Sequence, residues 1–268
     1  MRYLFTLLTL LMFGVGCQDK NVVLPLDAPV TSLANLPTTY QPFQGGSPVP
    51  GRLKSQTQNG KPSGEWRYNE RGQLLEKRHF RFGELTGSDQ YRYDAAGKLR
   101  FVQQFDDNCR FSSYSNCTGP VVWTGYAELT TDAAGRVTES RSYLKLDGKW
   151  NLRSTSRYKY NAQGQMTNVI QQYTAGGELT QTLTYDARGN VVAVREQRTS
   201  SSPDFADRTL QYAYDTGRNP YFNTVYFASA FFLSPNMQVT PGLTYEYRSD
   251  GLPTRIRQNG GDTELTYY

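Results

Sequence analysis

A chain of 268 residues with 13% aromatics, 24 glycines and isoleucine only at Ile170 and Ile256 does not have the make-up of a helical bundle or a doubly wound α/β domain. Its single histidine, His79, argues against any His-built metal site. The formal charge of +5 comes from 29 basic and 24 acidic residues interleaved along the chain, so there is no sustained basic stripe and nucleic-acid binding is not expected. The densest basic stretch, Glu76-Lys77-Arg78-His79-Phe80-Arg81, reads as a strand that alternates its faces.

In chain order, residues 1–16 read as a targeting segment. Arg2 supplies the positive charge, an apolar run follows from Tyr3 to Phe13, and small residues stand at Gly14 and Gly16 before Cys17. The run is too short to span a bilayer, which needs about 20 apolar residues. A small residue followed by Cys at the end of such a run resembles the lipobox of bacterial lipoproteins, although Gly14 stands where that family most often has Leu. The resemblance implies cleavage before Cys17 and acylation there; an ordinary secretory signal with an incidental Cys is the alternative.

Residues 17–51 hold six of the thirteen prolines and, between Asn21 and Gly51, Asp27 as the only charged side chain. No period of 2 or 3.6 runs through them, so they are expected to form a tether, with Val22-Val23-Leu24 as a segment that could pack on the body. With Cys17 acylated, Cys109 and Cys117 remain, bracketing a polar loop, and in an exported chain they are expected to form a disulfide. A metal-thiolate pair is the alternative, without a third or fourth ligand nearby.

Residues 52–268 read as a domain of repeated β-hairpins. Tyr68-Asn69-Glu70-Arg71-Gly72 recurs as Tyr93-Asp94-Ala95-Ala96-Gly97, Thr131-Asp132-Ala133-Ala134-Gly135, Tyr160-Asn161-Ala162-Gln163-Gly164 and Tyr185-Asp186-Ala187-Arg188-Gly189. Tyr214-Asp215-Thr216-Gly217 is one residue shorter, and Tyr247-Arg248-Ser249-Asp250-Gly251 has its acid displaced. The Asp or Asn side chain accepts from backbone N–H groups of the turn, and Gly takes the left-handed position of a type I turn with a G1 bulge. Alternating apolar residues on both sides complete the hairpin pattern.

The Tyr-Asp-x-x-Gly unit resembles the YD or RHS-type repeat of bacterial exported proteins. With the Cys17 segment it resembles a group of uncharacterised Bacteroidota lipoproteins, over roughly residues 60–268. That likeness speaks for architecture and is nearly silent on activity.

The expected fold is all-β: an antiparallel meander of hairpins forming a curled sheet or partly closed barrel, with one short apolar helical insertion at Phe222–Leu233 acting as a plug or as an exposed patch. An outer-membrane barrel is the runner-up. Trp66, Trp123 and Trp150 could stack on sugar rings or serve as cross-strand packing. Asp106, Asp107 and Asn108 could bind Ca²⁺ weakly or form a solvated loop. No G-x-S-x-G, H-E-x-x-H or P-loop is present, and the repeated acids are explained by turns, so no catalytic residue, metal or cofactor is assigned. The expected role is that of a non-enzymatic, lipid-anchored binding or interaction module of the cell envelope, attached to a membrane by its acyl group and meeting a protein or glycan partner. A structural envelope component without a soluble ligand, or a glycan-acting hydrolase using two carboxylates, is the alternative.

Overall fold

The computed structural model describes residues 28–107, 120–199, 207–223, 229–258 and 260–268. The expected Cys17 anchor, the Cys109–Cys117 bridge and Asn108 lie outside them.

The strands are β1 (Leu53–Gln58), β2 (Lys61–Tyr68), β3 (Leu74–Arg81), β4 (Glu84–Tyr93), β5 (Leu99–Asp106) and β6 (Val122–Thr131). They continue as β7 (Val137–Leu146), β8 (Lys149–Tyr160), β9 (Met166–Tyr173), β10 (Glu178–Tyr185), β11 (Val191–Thr199) and β12 (Arg208–Gln211). After β13 (Ala213–Arg218) comes a four-residue helix, α1 (Ala230–Leu233), then β14 (Asn236–Val239), β15 (Thr244–Tyr247), β16 (Pro253–Gln258) and β17 (Gly261–Tyr267). β12 back through β1, then β17, β16 and β15, form one antiparallel sheet of 15 strands, while β13 and β14 pair separately. The fold is thus the expected all-β meander. The ladder does not close into a barrel: β12 and β15 are its free edges.

The repeated turns behave as their residue types dictate. In the first, the Asn69 carboxamide oxygen accepts from the N–H groups of Arg71 and Gln73, both at 3.0 Å, while the Gly72 N–H donates to the Asn69 carbonyl. Asp94, Asn161 and Asp186 accept the same two bonds in their turns, and Asp132 accepts from the Arg136 N–H. The closing glycines Gly72, Gly97, Gly135, Gly164 and Gly189 all have φ between +72° and +87°, the left-handed region that glycine enters without steric cost. The register slips by one at the residue before each of these turns, which is the expected bulge. Arg248–Gly251 keeps this backbone, its Arg248 N–H donating to the Leu252 carbonyl, with Arg248 in the acid's place.

The shortened copy departs from the expectation. Tyr214-Asp215-Thr216-Gly217 lies within β13, and Gly217 has no left-handed φ. Glycine is required there by close approach, because a Cβ would sit 2.2 Å from the Tyr247 ring.

The tyrosines before the turns link neighbouring hairpins. The hydroxyls of Tyr93, Tyr160, Tyr185 and Tyr214 donate to the carbonyls of Leu74, Val137, Met166 and Val191 at 2.9, 2.7, 2.6 and 2.8 Å. Each acceptor stands two residues after a turn glycine. Tyr267 does the same to Pro253 at 2.6 Å. Tyr68 carries the same signature, yet its hydroxyl is buried without a hydrogen-bond partner.

One apolar cluster joins residues from β1 to β11 and β17 with the segment around α1. Tyr221 packs against Trp66 of β2 with ring centroids 6.0 Å apart, and Ser234 accepts the Val191 N–H of β11 at 3.0 Å. Strands so far apart in the sheet reach one short segment because the sheet curls around it. Asn219 ties the ends of that segment, its side chain donating to the carbonyls of Phe231 and Ser234 and accepting from the Tyr221 N–H. Tyr221 and Ala230 are buried and Phe231, Phe232 and Leu233 half-buried, so the described part of the apolar insertion is a plug; its helix is one turn long.

The outward faces do not resemble a lipid-facing band. Arg153, Arg157 and Lys159 of β8 are exposed, and Glu76, Gln90, Arg92 and Gln103 of β3–β5 lie under residues 28–51. No helix among the described residues is long and apolar enough to cross a membrane.

Replacing Tyr160 by Phe is expected to lower stability by about 1 kcal/mol, a fall of roughly 2–4 °C in melting temperature. Tyr68→Phe should leave stability unchanged or raise it, since that hydroxyl has nothing to lose. Burial pushes the phenols of Tyr160 and Tyr185 up to about 12. Their contribution to stability is therefore complete below the ordinary tyrosine value of about 10 and is lost as pH rises toward 12. Absorbance of tyrosinate followed through an alkaline titration should show that late step, and the late step should shrink in Tyr160→Phe.

Candidate functional site

Residues 28–51 lie on the sheet, where a tether with at most a part packed on the body was expected. The Val30 N–H donates to the Tyr93 carbonyl at 2.9 Å, a 3-10 turn follows at Leu33–Asn35, and Thr39 forms a bridge with Val122. Val30 and Leu36 are fully or almost fully buried against Phe101, Phe105, Trp123 and Tyr126. The Ser47 N–H then reaches the Tyr68 carbonyl, and the Gly51 N–H the Tyr268 carbonyl.

Under this segment sits a buried polar seam. Glu76, with no exposed surface, accepts from the Tyr40 hydroxyl at 3.1 Å, the Phe43 N–H at 3.1 Å, the Ser88 hydroxyl at 2.9 Å and the Arg78 guanidinium at 2.9 Å. Arg78 also donates to the Phe43 carbonyl at 2.8 Å. Gln90 and Gln103 donate to the carbonyls of Gln41 and Pro37 at 2.8 and 3.0 Å, and Arg92 donates to both glutamines. These side chains supply the partners that an irregular, proline-rich backbone cannot find in a ladder.

A cleft of about 540 Å³ opens where the segment meets the first two repeated turns, lined by Gly45, Gly46, Ser47, Asn69, Glu70 and Asp94 among others. Asp94 is committed to its turn, and Glu70 is the remaining carboxylate there. The repeated acids elsewhere are likewise spent. Arg136 bonds hold the Asp132 carboxyl below its usual range; burial would raise Asp186, but donors from Asn190 and Arg188 outweigh it and hold it low. Among the described residues no group of three or more His, Cys, Asp or Glu side chains could hold a metal ion. Asp106 accepts from the Thr124 hydroxyl at 2.9 Å, and Asp107 is largely buried.

The three tryptophans do not come together. Trp66 is buried on the plug side, whereas Trp123 packs on the covered side with Trp150 at 4.7 Å. Trp66 and Trp123 are buried, so packing is the role the structure gives them. His79 bonds Asp89 on the neighbouring strand at 2.9 Å.

The most exposed large apolar side chain of the described residues is one that the sequence patterns did not single out. Three two-residue turns close the rim opposite the repeated turns: Asn59-Gly60, Phe82-Gly83 and Asp147-Gly148, all with both residues at positive φ. Asn and Asp suit that conformation; Phe does not. Phe82 has φ +53° and is 83% exposed. Its signal in the sequence was a Phe-Gly pair between two alternating runs.

No family model matches the chain, and no curated protein matches it. Among solved structures, a porin-like protein from Bacteroides uniformis is 13% identical with a TM-score of 0.47, covering 83% of this chain and 99% of that one. A porin-like protein from Bacteroides vulgatus is 13% identical with a TM-score of 0.45, covering 81% and 99%. TcdB2-TccC3 is 14% identical with a TM-score of 0.32, covering 80% of this chain and 11% of that one. At these identities and scores no function passes from those proteins to this one.

Glu76→Ala would take an acceptor from Tyr40, Ser88, Arg78 and the Phe43 N–H, Arg78 keeping Glu65 and the Phe43 carbonyl, and is expected to cost about 2–3 kcal/mol. Limited proteolysis should then cut within residues 40–47 faster than in the parent, whereas Glu76→Gln, which keeps an acceptor, should be cut at an intermediate rate.

Proposed function

We propose that this protein is a non-enzymatic, lipid-anchored interaction module of the bacterial cell envelope. The observation that carries the non-enzymatic reading is the fate of the repeated carboxylates. Asp94, Asp132 and Asp186 accept backbone bonds inside their own turns, so the acids that recur along the sequence already have structural work. The anchor reading is supported by the apolar run and by Gly16-Cys17 in the sequence. Cys109 and Cys117 are proposed to be disulfide-bonded in the exported chain.

In cells supplied with labelled palmitate, the parent chain should take up label and sediment with membranes. Cys17→Ser should do neither, and a parent chain that stays unlabelled would overturn the anchor.

A further inference from the structure

A bulky aromatic residue at positive φ on a hairpin tip is unfavourable twice over, in backbone conformation and in exposed apolar area. The neighbouring two-residue turns on the same rim avoid both with Asn59 and Asp147. An outlier of this kind points to use of the side chain.

The surroundings say what for. A cleft of about 500 Å³ lies between the tips of β1–β2 and β3–β4, with Phe82 on its border. Lys61 and Arg81 line it, both exposed and, among the described residues, neither in an ion pair, together with the amides Gln58 and Asn59 and the ring of Phe80. Among the described residues no carboxylate lines it; Glu84 stands opposite Arg81 in the ladder without pairing with its guanidinium, and Asp262 turns its carboxylate toward Arg257. The site therefore offers an aromatic face, two free cations and amide groups in one concavity.

We propose that this cleft binds a carboxylate-bearing oligosaccharide. The apolar face of a sugar ring lies on Phe82, its carboxylates meet Lys61 and Arg81, and its hydroxyls meet Gln58 and Asn59. An anionic bilayer fits less well, because the site is concave and the adjoining tip, residues 58–62, is exposed and predominantly polar. The inference rests on the reading of the protein as a binding module and names its ligand class.

The test uses the full lipidated chain in zwitterionic micelles, titrated calorimetrically with oligogalacturonate, with neutral maltohexaose and with phosphatidylglycerol vesicles. Oligogalacturonate should bind, more weakly as salt rises. Phe82→Asn should weaken binding at least about tenfold while its melting temperature stays level or rises, because Asn accepts the left-handed conformation. The double variant Lys61→Gln, Arg81→Gln should weaken it similarly. Undetectable binding, binding indifferent to Phe82→Asn, or equal binding of maltohexaose would overturn the site. So would Phe82-dependent binding of vesicles in place of the oligosaccharide. Palmitate labelling at Cys17 is read separately, so loss of the ligand assignment and loss of the anchor are distinguishable.

Discussion

The hydroxyl of Tyr160 makes no bond within its own turn; it reaches the Val137 carbonyl, where the adjoining strand leaves the previous one. Repeated at Tyr93, Tyr185 and Tyr214, this reach ties the ends of successive hairpins at one level. A ladder alone sets which strands pair; the tyrosines also fix where each pair stops. The Asx-bonded turns are thereby aligned on one rim and the two-residue tips on the other. Curling of the sheet around Tyr221 and α1 follows from burying the apolar face on which Trp66 and Leu183 lie.

The two faces use different chemistry to the same end. On the plug side, apolar contact does the work, and burying a Leu or Phe side chain contributes about 1.5–3 kcal/mol. On the covered side, Glu76, Arg78, Gln90 and Gln103 hold residues 28–51 by hydrogen bonds to backbone groups, and Val30 and Leu36 add apolar anchors at one end. A segment held largely by directional bonds has a defined path but little tolerance for loss of a single acceptor.

What could be read from the sequence was what short-range chemistry determines. Asn69 to Gly72 announces its turn because donor, acceptor and left-handed residue lie within five positions. Gly217 misleads for the opposite reason: it copies the end of a turn, but its role is set by Tyr247, thirty residues on and in contact only after folding. The covering segment looked like a tether because its partners are polar side chains on β3 to β5, and apolar periodicity cannot reveal them. By type Trp66 and Trp123 suited either sugar stacking or cross-strand packing, a choice that depends on burial, and both are buried. Phe82 gave no periodic signal, since its importance lies in a backbone angle.

The order of the strands carries a consequence for how the chain must assemble. Most neighbours in the sheet are consecutive, so hairpins can form as they are made. The exception is β1, whose second partner is β17, with Leu53 opposite Tyr267. Until β17 arrives, the first hairpin presents a bare edge of unpaired N–H and C=O groups, the kind that templates pairing with another chain. Such an edge favours an assembly in which the first hairpin is kept open or shielded until the final strands have been made.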